Sequence, residues 1–257
     1  MECVQKVDLD KLSQTVVSIS VRQSEGRVSV GTAWYVGNNQ FVTARQVFED
    51  ETTDEPHDIL IDYDDWGSEV TFSRSTSVVE DVPNIKITTP VWLLEITEFG
   101  DKSEAVLMFK VPSLVTDELG IQTAHTADRI LKDGDTVLSI GYSSEMEGGY
   151  QSLRFVLGTN NPPKSTNETS FSSQATTLPY GMLWLEMTAV ASQSSMKMTD
   201  EKNILRYGSS GAPVFNCAGR VVGVITNHVV KEEWSTNVWG SPTNIALPLP
   251  LLLGSLD

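Results

Sequence analysis

The chain has 257 residues, 40% of them hydrophobic, with 18 glycines and 11 prolines, a composition typical of a globular protein with one large domain or two small ones. Its formal net charge of −16 argues against a surface for nucleic acid or for anionic membrane. The segment MECVQKVDLDKL lacks a basic stretch followed by an apolar run, and IALPLPLLLG is too short and proline-rich to span a bilayer. We therefore expect neither a signal peptide nor a membrane span.

Cys3 and Cys217 are the only cysteines in the sequence. Secreted proteins of this size usually carry several disulfides, so this count favours a reducing, intracellular setting, cytoplasmic or nuclear, with two thiols. A bridge between the two cysteines is the alternative.

Short runs of β-branched and aromatic residues dominate the chain, from TVVSISVRQ near its start to RVVGVITNH near its end. Clusters of Gly, Asn, Asp, Ser and Pro separate about twelve such runs, and no long segment has helical periodicity. This spacing predicts an all-β sandwich or a pair of barrels. The polar stretch at residues 111–130 predicts the seam between two strand-rich halves, and the Ser/Thr/Asn-rich stretch at 158–177 predicts a long surface loop.

In the first half, residues 29–42 (SVGTAWYVGNNQFV) predict a hairpin, with a Gly-Asn-Asn turn between two strands, that leads into TARQVFED at 43–50. An acidic stretch at residues 49–65 follows. Its nine carboxylates are Glu49, Asp50, Glu51, Asp54, Glu55, Asp58, Asp62, Asp64 and Asp65. A solvated loop is one interpretation, and electrostatic selection of a basic peptide or protein partner is the other. The spacing is not that of a known calcium loop.

In the second half, residues 207–226 (YGSSGAPVFNCAGRVVGVIT) carry the strongest motif. Gly208 and Gly211 allow a tight loop that presents the hydroxyl of Ser210 as a nucleophile, while the N–H groups of Gly208 and Ser210 converge as an oxyanion hole. The strand after the loop has an edge that could receive an extended peptide. A plain hairpin with a Gly/Ser-rich loop is the alternative interpretation.

Together these segments resemble the trypsin-like serine peptidases, and the pattern is most similar to the HtrA-type and related intracellular branches. SEAVLMFKV and LKDGDTVLSIGY extend the resemblance over most of the chain. The resemblance implies two six-stranded antiparallel β-barrels, at residues 1–115 and 116–257. It also implies substrate binding along Val224, Ile225, Thr226 and Asn227.

The family's catalytic order of His, Asp and Ser falls on Gln46, Ser103 and Ser210, so the sequence departs from the pattern at two of three positions. Asp101 is the alternative source of the carboxylate, and Glu104 also lies near. Ser209 stands where secreted trypsins have the aspartate that pairs with a new N-terminus, which implies no activation by cleavage.

A glutamine cannot take a proton from Ser210 near neutral pH, so the sequence predicts a pseudopeptidase that binds a peptide or protein. The alternative is an active serine endopeptidase, or an inactivated copy of one. His57, His125 and His228 are the remaining candidates for a base, and a solvated histidine is the plainer interpretation of each. No metal-ligand spacing or phosphate loop is present, so we expect no cofactor. The sequence does not specify the partner or the oligomeric state.

Overall fold

The computed structural model describes residues 2–22, 28–48, 69–74, 85–99, 106–129, 131–143, 152–160, 183–192, 208–229 and 243–248. Three short helices lie in this part of the chain: α1 (Glu2–Lys6), α2 (Leu9–Ser13) and α3 (Ser113–Leu119). The strands of the first half are β1 (Val16–Arg22), β2 (Val28–Gly37), β3 (Gln40–Ala44), β4 (Glu69–Arg74), β5 (Ile85–Pro90), β6 (Glu95–Phe99) and β7 (Val106–Lys110). Those of the second half are β8 (Thr136–Ser143), β9 (Ser152–Asn160), β10 (Leu183–Ser192), β11 (Pro213–Asn216), β12 (Val221–Val229) and β13 (Thr243–Pro248).

The first sheet has the strand order β5-β4-β1-β2-β3-β7-β6, and all its neighbouring strands are antiparallel. Its two edge strands, β5 and β6, are consecutive in the chain and are separated only by residues 91–94, which include a 3-10 turn at Val91–Leu93. Five backbone steps span at most about 17 Å, so the two edges must lie close together and the sheet must curl.

The second sheet is a closed barrel with the order β10-β13-β12-β11-β8-β9. The predicted all-β double-barrel fold is thus confirmed, and the second barrel has the six strands expected. The first sheet has seven strands among the described residues, one more than expected. One of them, β5, lies in residues for which the sequence predicted no strand. The predicted hairpin turn is present, with Asn38 and Asn39 both at positive φ, as a two-residue turn of the I′ type requires.

Successive side chains of a strand point to opposite faces, and those that point away from the interior of the first barrel contribute to an apolar layer between the two barrels. In β1, Val17 and Ile19 face the interior of the first barrel, whereas Val16 belongs to the layer between the barrels. In β8, Leu138 and Ile140 also belong to this layer, which further contains Trp34, Val42, Val106, Phe155, Phe215 and Val224. Because both barrels bury side chains in it, the layer fixes one barrel against the other.

Helix α2 packs onto the same layer, and helix α1 is bonded covalently to the second barrel. Leu9 and Leu12 of α2 contribute to the layer, and Asp8 caps α2 by accepting a hydrogen bond from Lys11 N–H at 3.0 Å. Cys3 in α1 forms a disulfide with Cys217 in the turn between β11 and β12, across a sequence separation of 214 residues. The expectation of two free thiols is therefore wrong, because the fold places Cys3 next to Cys217.

The predicted irregular seam at residues 111–130 contains the helix α3, and the irregular part that follows is fixed by backbone hydrogen bonds to both sheets. Ala124 N–H donates to the carbonyl of Tyr35 in β2 at 2.8 Å, and Ala127 N–H donates to the carbonyl of Val221 in β12 at 2.8 Å. The predicted boundary between residues 115 and 116 falls inside α3 and stays a prediction. Within the described ranges, no helix has the length and apolarity needed to cross a membrane.

The end of α3 is held by a buried cation. The guanidinium of Arg74, at the end of β4, donates from Nη1 to the carbonyls of Leu119 and Gly120, each at 2.5 Å. Loss of hydration in this buried position lowers the pKa of Arg74, yet a guanidinium stays charged at neutral pH. A cation at the last carbonyls of a helix is favourable, so Arg74 fixes the start of the segment that joins the barrels.

Candidate active site

The loop at residues 208–212 has a conformation that its glycines make accessible. Gly208 and Gly211 have φ values of +88° and +89°, a region that favours glycine. A Cβ on Gly211 would lie 2.1 Å from the carbonyl oxygen of Thr32 and 2.8 Å from the backbone nitrogen of Ala44. The loop therefore lies against the backbone of the first barrel at a distance that only glycine permits.

Backbone hydrogen bonds connect this loop to both barrels. Gly211 N–H donates to the carbonyl of Ile225 in β12 at 2.7 Å, and Ile225 N–H donates to the carbonyl of Ala212 at 2.8 Å. From the first barrel, Thr32 N–H donates to the carbonyl of Ser210 at 2.8 Å. Ser210 is thus held from both sides through the backbone of its own loop, while its side chain stays partly exposed.

The buried hydroxyl of Thr32 joins three elements. Tyr142 N–H in β8 donates to Thr32 Oγ1 at 2.9 Å, and this hydroxyl donates to the carbonyl of Gly208 at 2.9 Å. The hydroxyl of Thr43 in turn donates to the carbonyl of Thr32 at 2.7 Å. Because Thr32 is fully buried, these bonds are shielded from water and fix the carbonyl of Gly208 in one direction.

Gln46 lies in the 3-10 turn Arg45–Val47, directly after β3. The neighbours Val47 and Phe48 are buried in the core of the first barrel, and Arg45 forms a 2.7 Å ion pair with Glu98 of β6. These contacts fix the turn, and they leave the side chain of Gln46 exposed in the cleft. There its Nε2 donates a hydrogen bond to Ser210 Oγ.

This contact has the opposite polarity to that of a base beside a nucleophile. A base accepts the proton of the hydroxyl, whereas the amide of Gln46 gives a proton to the oxygen of Ser210. A half-turn of the carboxamide would bring Oε1 to the same place, but a carboxamide oxygen is too weak a base to hold that proton at neutral pH. In either orientation, Ser210 keeps its proton.

The two backbone donors predicted for an oxyanion hole are present in the loop. Within the part of the chain that the structure describes, neither the N–H of Gly208 nor that of Ser210 donates a hydrogen bond to another residue. Both groups remain available to an acceptor that enters the cleft.

The comparisons with known proteins agree with this geometry. A sequence profile of the trypsin-like peptidase domain matches residues 31–224, which is about three quarters of the chain. The chain belongs to this trypsin-like peptidase family. No curated protein matches the chain by sequence.

Solved structures of trypsin-like proteases share the fold at low sequence identity. The active form of the Rv3671c protease from M. tuberculosis superposes with a TM-score of 0.57 and 17% identity, over 98% of this chain and 84% of that one. Deg5 gives a TM-score of 0.56 and 16% identity, over 98% and 91%. The serine endoprotease from Yersinia pestis gives 0.53 and 13%, over 99% and 64%. At this identity the likeness supports the fold alone.

Several residues predicted for the trypsin-like site lie outside the described residues or outside the cleft. Ser103, Asp101, Glu104 and His57 fall in residues that the structure does not describe. His125 is exposed, and its carbonyl accepts a 2.8 Å hydrogen bond from Val221 N–H, so its backbone belongs to the segment between the barrels. Among the described residues, no group of three or more His, Cys, Asp or Glu side chains could hold a metal ion.

The predicted peptide-binding strand needs a correction. Val224 pairs with Pro213 of β11 on one side and with Leu247 of β13 on the other, so neither of its edges is open. Ile225 pairs with Ala246 and exchanges hydrogen bonds with the loop at residues 208–212. Both side chains are buried in the core. Among the described residues, β12 lacks a partner on the side that faces β11 at residues 226–229. Of the predicted binding residues, this leaves Thr226 and the backbone of Asn227 at an open edge.

Thr32 is a site feature that the sequence did not indicate. Thr226 was among the substrate-binding residues that the resemblance implied, but its buried hydroxyl was not indicated. Thr32 lies in a run of strand-forming residues, where one threonine is unremarkable until its partners are known. Thr226 is only 4% exposed, and its Oγ1 has no hydrogen-bond partner in the described part of the chain. For both hydroxyls, the only signal in the sequence was a polar side chain at a strand position that the alternation of polar and apolar residues predicts to be buried.

Proposed function

We propose that this protein is a pseudopeptidase, a trypsin-like fold that binds an extended segment of a peptide or protein in its cleft without cleaving it. The observation that carries this proposal is the contact between Gln46 and Ser210, in which the position of the general base holds an amide donor. The positive φ values of Gly208 and Gly211 and the two backbone donors of the loop support a cleft that still binds a peptide.

The chemical consequence follows from the path of the proton. Attack by Ser210 on a peptide carbonyl requires that its proton leave the hydroxyl and later reach the departing amine. Gln46 performs neither step, and removal of one member of such a unit lowers turnover by a factor on the order of a million. We expect residual hydrolysis at most at the level that the oxyanion hole alone supplies.

The ligand would pair with β12 at residues 226–229. Strand addition needs free backbone groups on one edge, and among the described residues this part of β12 has no strand partner on the side that leads to Ser210. A partner of this kind gains backbone hydrogen bonds that do not depend on its sequence, while alternate side chains give selectivity. We expect an affinity on the order of micromolar.

The charge of the protein favours a basic partner. The net charge is −16, and the acidic stretch at residues 49–65, which lies outside the described residues, directly follows the Gln46 turn in the chain. Binding through these carboxylates should weaken as added salt shortens the Debye length below about 8 Å.

An intracellular location stays a proposal. The sequence analysis drew it in part from two free thiols, whereas Cys3 and Cys217 form a disulfide, a bond more typical of oxidising compartments.

The first test is labelling of Ser210 by a fluorophosphonate probe, with Ser210→Ala as the control for reaction elsewhere. We expect labelling of the wild-type chain to be as low as that of the control, together with negligible hydrolysis of peptides. Gln46→His alone should restore little activity if Ser103 occupies the aspartate position, because nothing would fix the tautomer of the new imidazole. Gln46→His combined with Ser103→Asp should restore much more.

An active serine endopeptidase is the second candidate function. The observation that favours it is the intact loop, with Gly208 and Gly211 at positive φ and two backbone donors available. Strong labelling of the wild-type chain, abolished by Ser210→Ala, would establish this candidate and contradict the pseudopeptidase. Full activity of Gln46→His alone would mean that Asp101 or Glu104 already supplies the carboxylate.

A further inference from the structure

We propose that the cleft around Ser210 is a receptor for a carboxylate, namely the free C-terminus of a basic partner chain. This inference rests on the proposed function, because it names the ligand of the same cleft. It differs from the proposed function in one respect that can be measured, since an internal segment of a protein has no main-chain carboxylate.

The first argument is the number of donors around Ser210. The amide of Gln46 carries two N–H groups, and only one is used by Ser210 Oγ. Because that oxygen accepts from Gln46, the O–H of Ser210 is available to donate. The N–H groups of Gly208 and Ser210 donate to nothing in the described part of the chain. This gives four donors: one N–H of Gln46, the O–H of Ser210, and the backbone N–H groups of Gly208 and Ser210.

The second argument is the chemistry that four donors select. A carboxylate has two oxygens with about four acceptor sites, whereas the carbonyl of an internal peptide bond has one oxygen with two. Hydrogen bonds to an ionised acceptor are roughly twice as strong as those between neutral groups. A neutral imidazole at position 46 would present an acceptor to Ser210 and could remove its proton. The amide of Gln46 presents donors at this position instead.

The third argument is that these donors are held in place before any ligand arrives. The N–H of Ser210 shares a peptide plane with the carbonyl of Ser209, which accepts a 2.8 Å hydrogen bond from Ala212 N–H, and the loop is also held at the carbonyl of Gly208 by the hydroxyl of Thr32. The Gln46 turn is fixed by the buried Val47 and by the ion pair between Arg45 and Glu98. Donors that need no reorganisation lose less entropy when they bind an anion.

The direction of the bound chain follows from the register of the loop. Gly211 bonds to Ile225, so the loop lies at the Ile225 end of the open edge at residues 226–229. A chain whose carboxylate contacts Ser210 must therefore run antiparallel to β12, with its preceding residues beside Thr226 and then Val229. The net charge of −16 would repel a bare anion, and Lys or Arg residues upstream of the carboxylate would offset that repulsion.

The experiment compares matched peptides that differ only at the C-terminus. The probes are pools of fluorescent, N-acetylated hexapeptides with Lys or Arg at alternate positions and each residue type in turn at the last position. Each pool is made as the free acid, as the amide, and as the acid extended by two glycines. Fluorescence anisotropy with the full chain, oxidised, gives the affinity. We expect the best free acid to bind at least about tenfold more tightly than both its amide and its extended form.

A variant tests whether Gln46 takes part. Gln46→Glu replaces the amide donors with a negative charge, and it should lower the affinity for the free acid at least about tenfold. Gln5→Glu adds the same charge at an exposed position in α1 and is the matched control, with little expected effect. The thermal unfolding midpoint of each variant shows that the fold is intact.

The outcomes separate this inference from the proposed function. Equal binding of acid, amide and extended peptide would overturn the carboxylate receptor and leave the pseudopeptidase standing. Equal loss of acid binding in Gln46→Glu and Gln5→Glu would also overturn it, because the effect would then be general repulsion. If no pool binds in any form, the peptide-binding cleft itself is wrong, and the carboxylate receptor is wrong with it.

Discussion

At the scale of single residues, the buried hydroxyl of Thr226 lowers the stability of the cleft. Its oxygen has no hydrogen-bond partner in the described part of the chain. A buried hydroxyl without a partner costs about 1–3 kcal/mol, and valine has nearly the same shape. We expect Thr226→Val to raise the free energy of unfolding by about 1–2 kcal/mol in urea titrations. Thr43→Val is the control: its buried hydroxyl donates to Thr32, so the same change should destabilise the protein.

Substitution of Gly211 tests how closely the loop at residues 208–212 contacts the first barrel. Gly211 and Gly134 have similar φ values, +89° and +84°, but a Cβ on Gly134 would meet nothing within 4 Å. A Cβ on Gly211 would collide with backbone atoms of Thr32 and Ala44. We expect Gly134→Ala to cost about 1 kcal/mol, for its backbone conformation, and Gly211→Ala to cost more than about 3 kcal/mol. Equal costs in thermal unfolding would show that the loop does not lie against this backbone.

At the scale of secondary-structure elements, the hydroxyl of Thr32 in β2 connects this strand to β8 and to the loop at residues 208–212. Thr32→Val leaves the N–H of Tyr142 and the carbonyl of Gly208 without this partner in a buried site. We expect a loss of about 2–4 kcal/mol of stability, together with weaker peptide binding, because the loop would no longer be held at the carbonyl of Gly208. The control Thr71→Val removes a bond between exposed threonines of β4 and β5 and should cost under about 1 kcal/mol. Unchanged peptide binding in Thr32→Val would contradict a positioning role.

The sequence predicted the elements that carry the site better than those that complete the barrels. β3 and β12 consist of β-branched and aromatic residues next to recognisable motifs, so their positions followed from local pattern. β13 was missed because TNIALP is short and ends at a proline, and its strand conformation depends on pairing with β10 and β12. β5 was missed although Ile85 and Ile87 alternate with polar residues. The helices are only five to seven residues long, too short for helical periodicity to appear.

The sequence also identified Ser210 and Gln46 as the two side chains that meet, since each lies at a fixed place in a motif. It did not identify Thr32, because that role depends on Tyr142 and Gly208, which are 110 and 176 residues away. Contacts of such sequence separation leave no local pattern. The same reason explains the disulfide, since nothing near Cys3 or Cys217 indicates that the two lie together.

At the scale of the whole molecule, the apolar layer between the barrels determines the geometry of the cleft. Gln46 is attached to the first barrel and Ser210 to a loop that also bonds to the second, so their contact depends on how the barrels pack. Trp34 and Val42 from the first barrel meet Leu138, Phe155 and Phe215 from the second in this layer. Helix α2 packs against this layer, and the disulfide joins α1 to the second barrel.

The disulfide should therefore stabilise the whole chain. A bridge across a sequence separation of 214 residues restricts the unfolded chain strongly, and its loss should lower the free energy of unfolding by roughly 2–5 kcal/mol. We expect Cys3→Ser, Cys217→Ser and the double variant to show equal losses in denaturant titrations, because each removes the same bond. Reductant should lower the unfolding midpoint of the wild-type chain and leave that of the double variant unchanged. Additive losses in the two single variants, or a wild-type midpoint that reductant does not move, would contradict the bridge. Peptide affinity should persist in the double variant well below its unfolding midpoint, because the bonds that fix Ser210 come from Thr32 and Ile225 and not from α1.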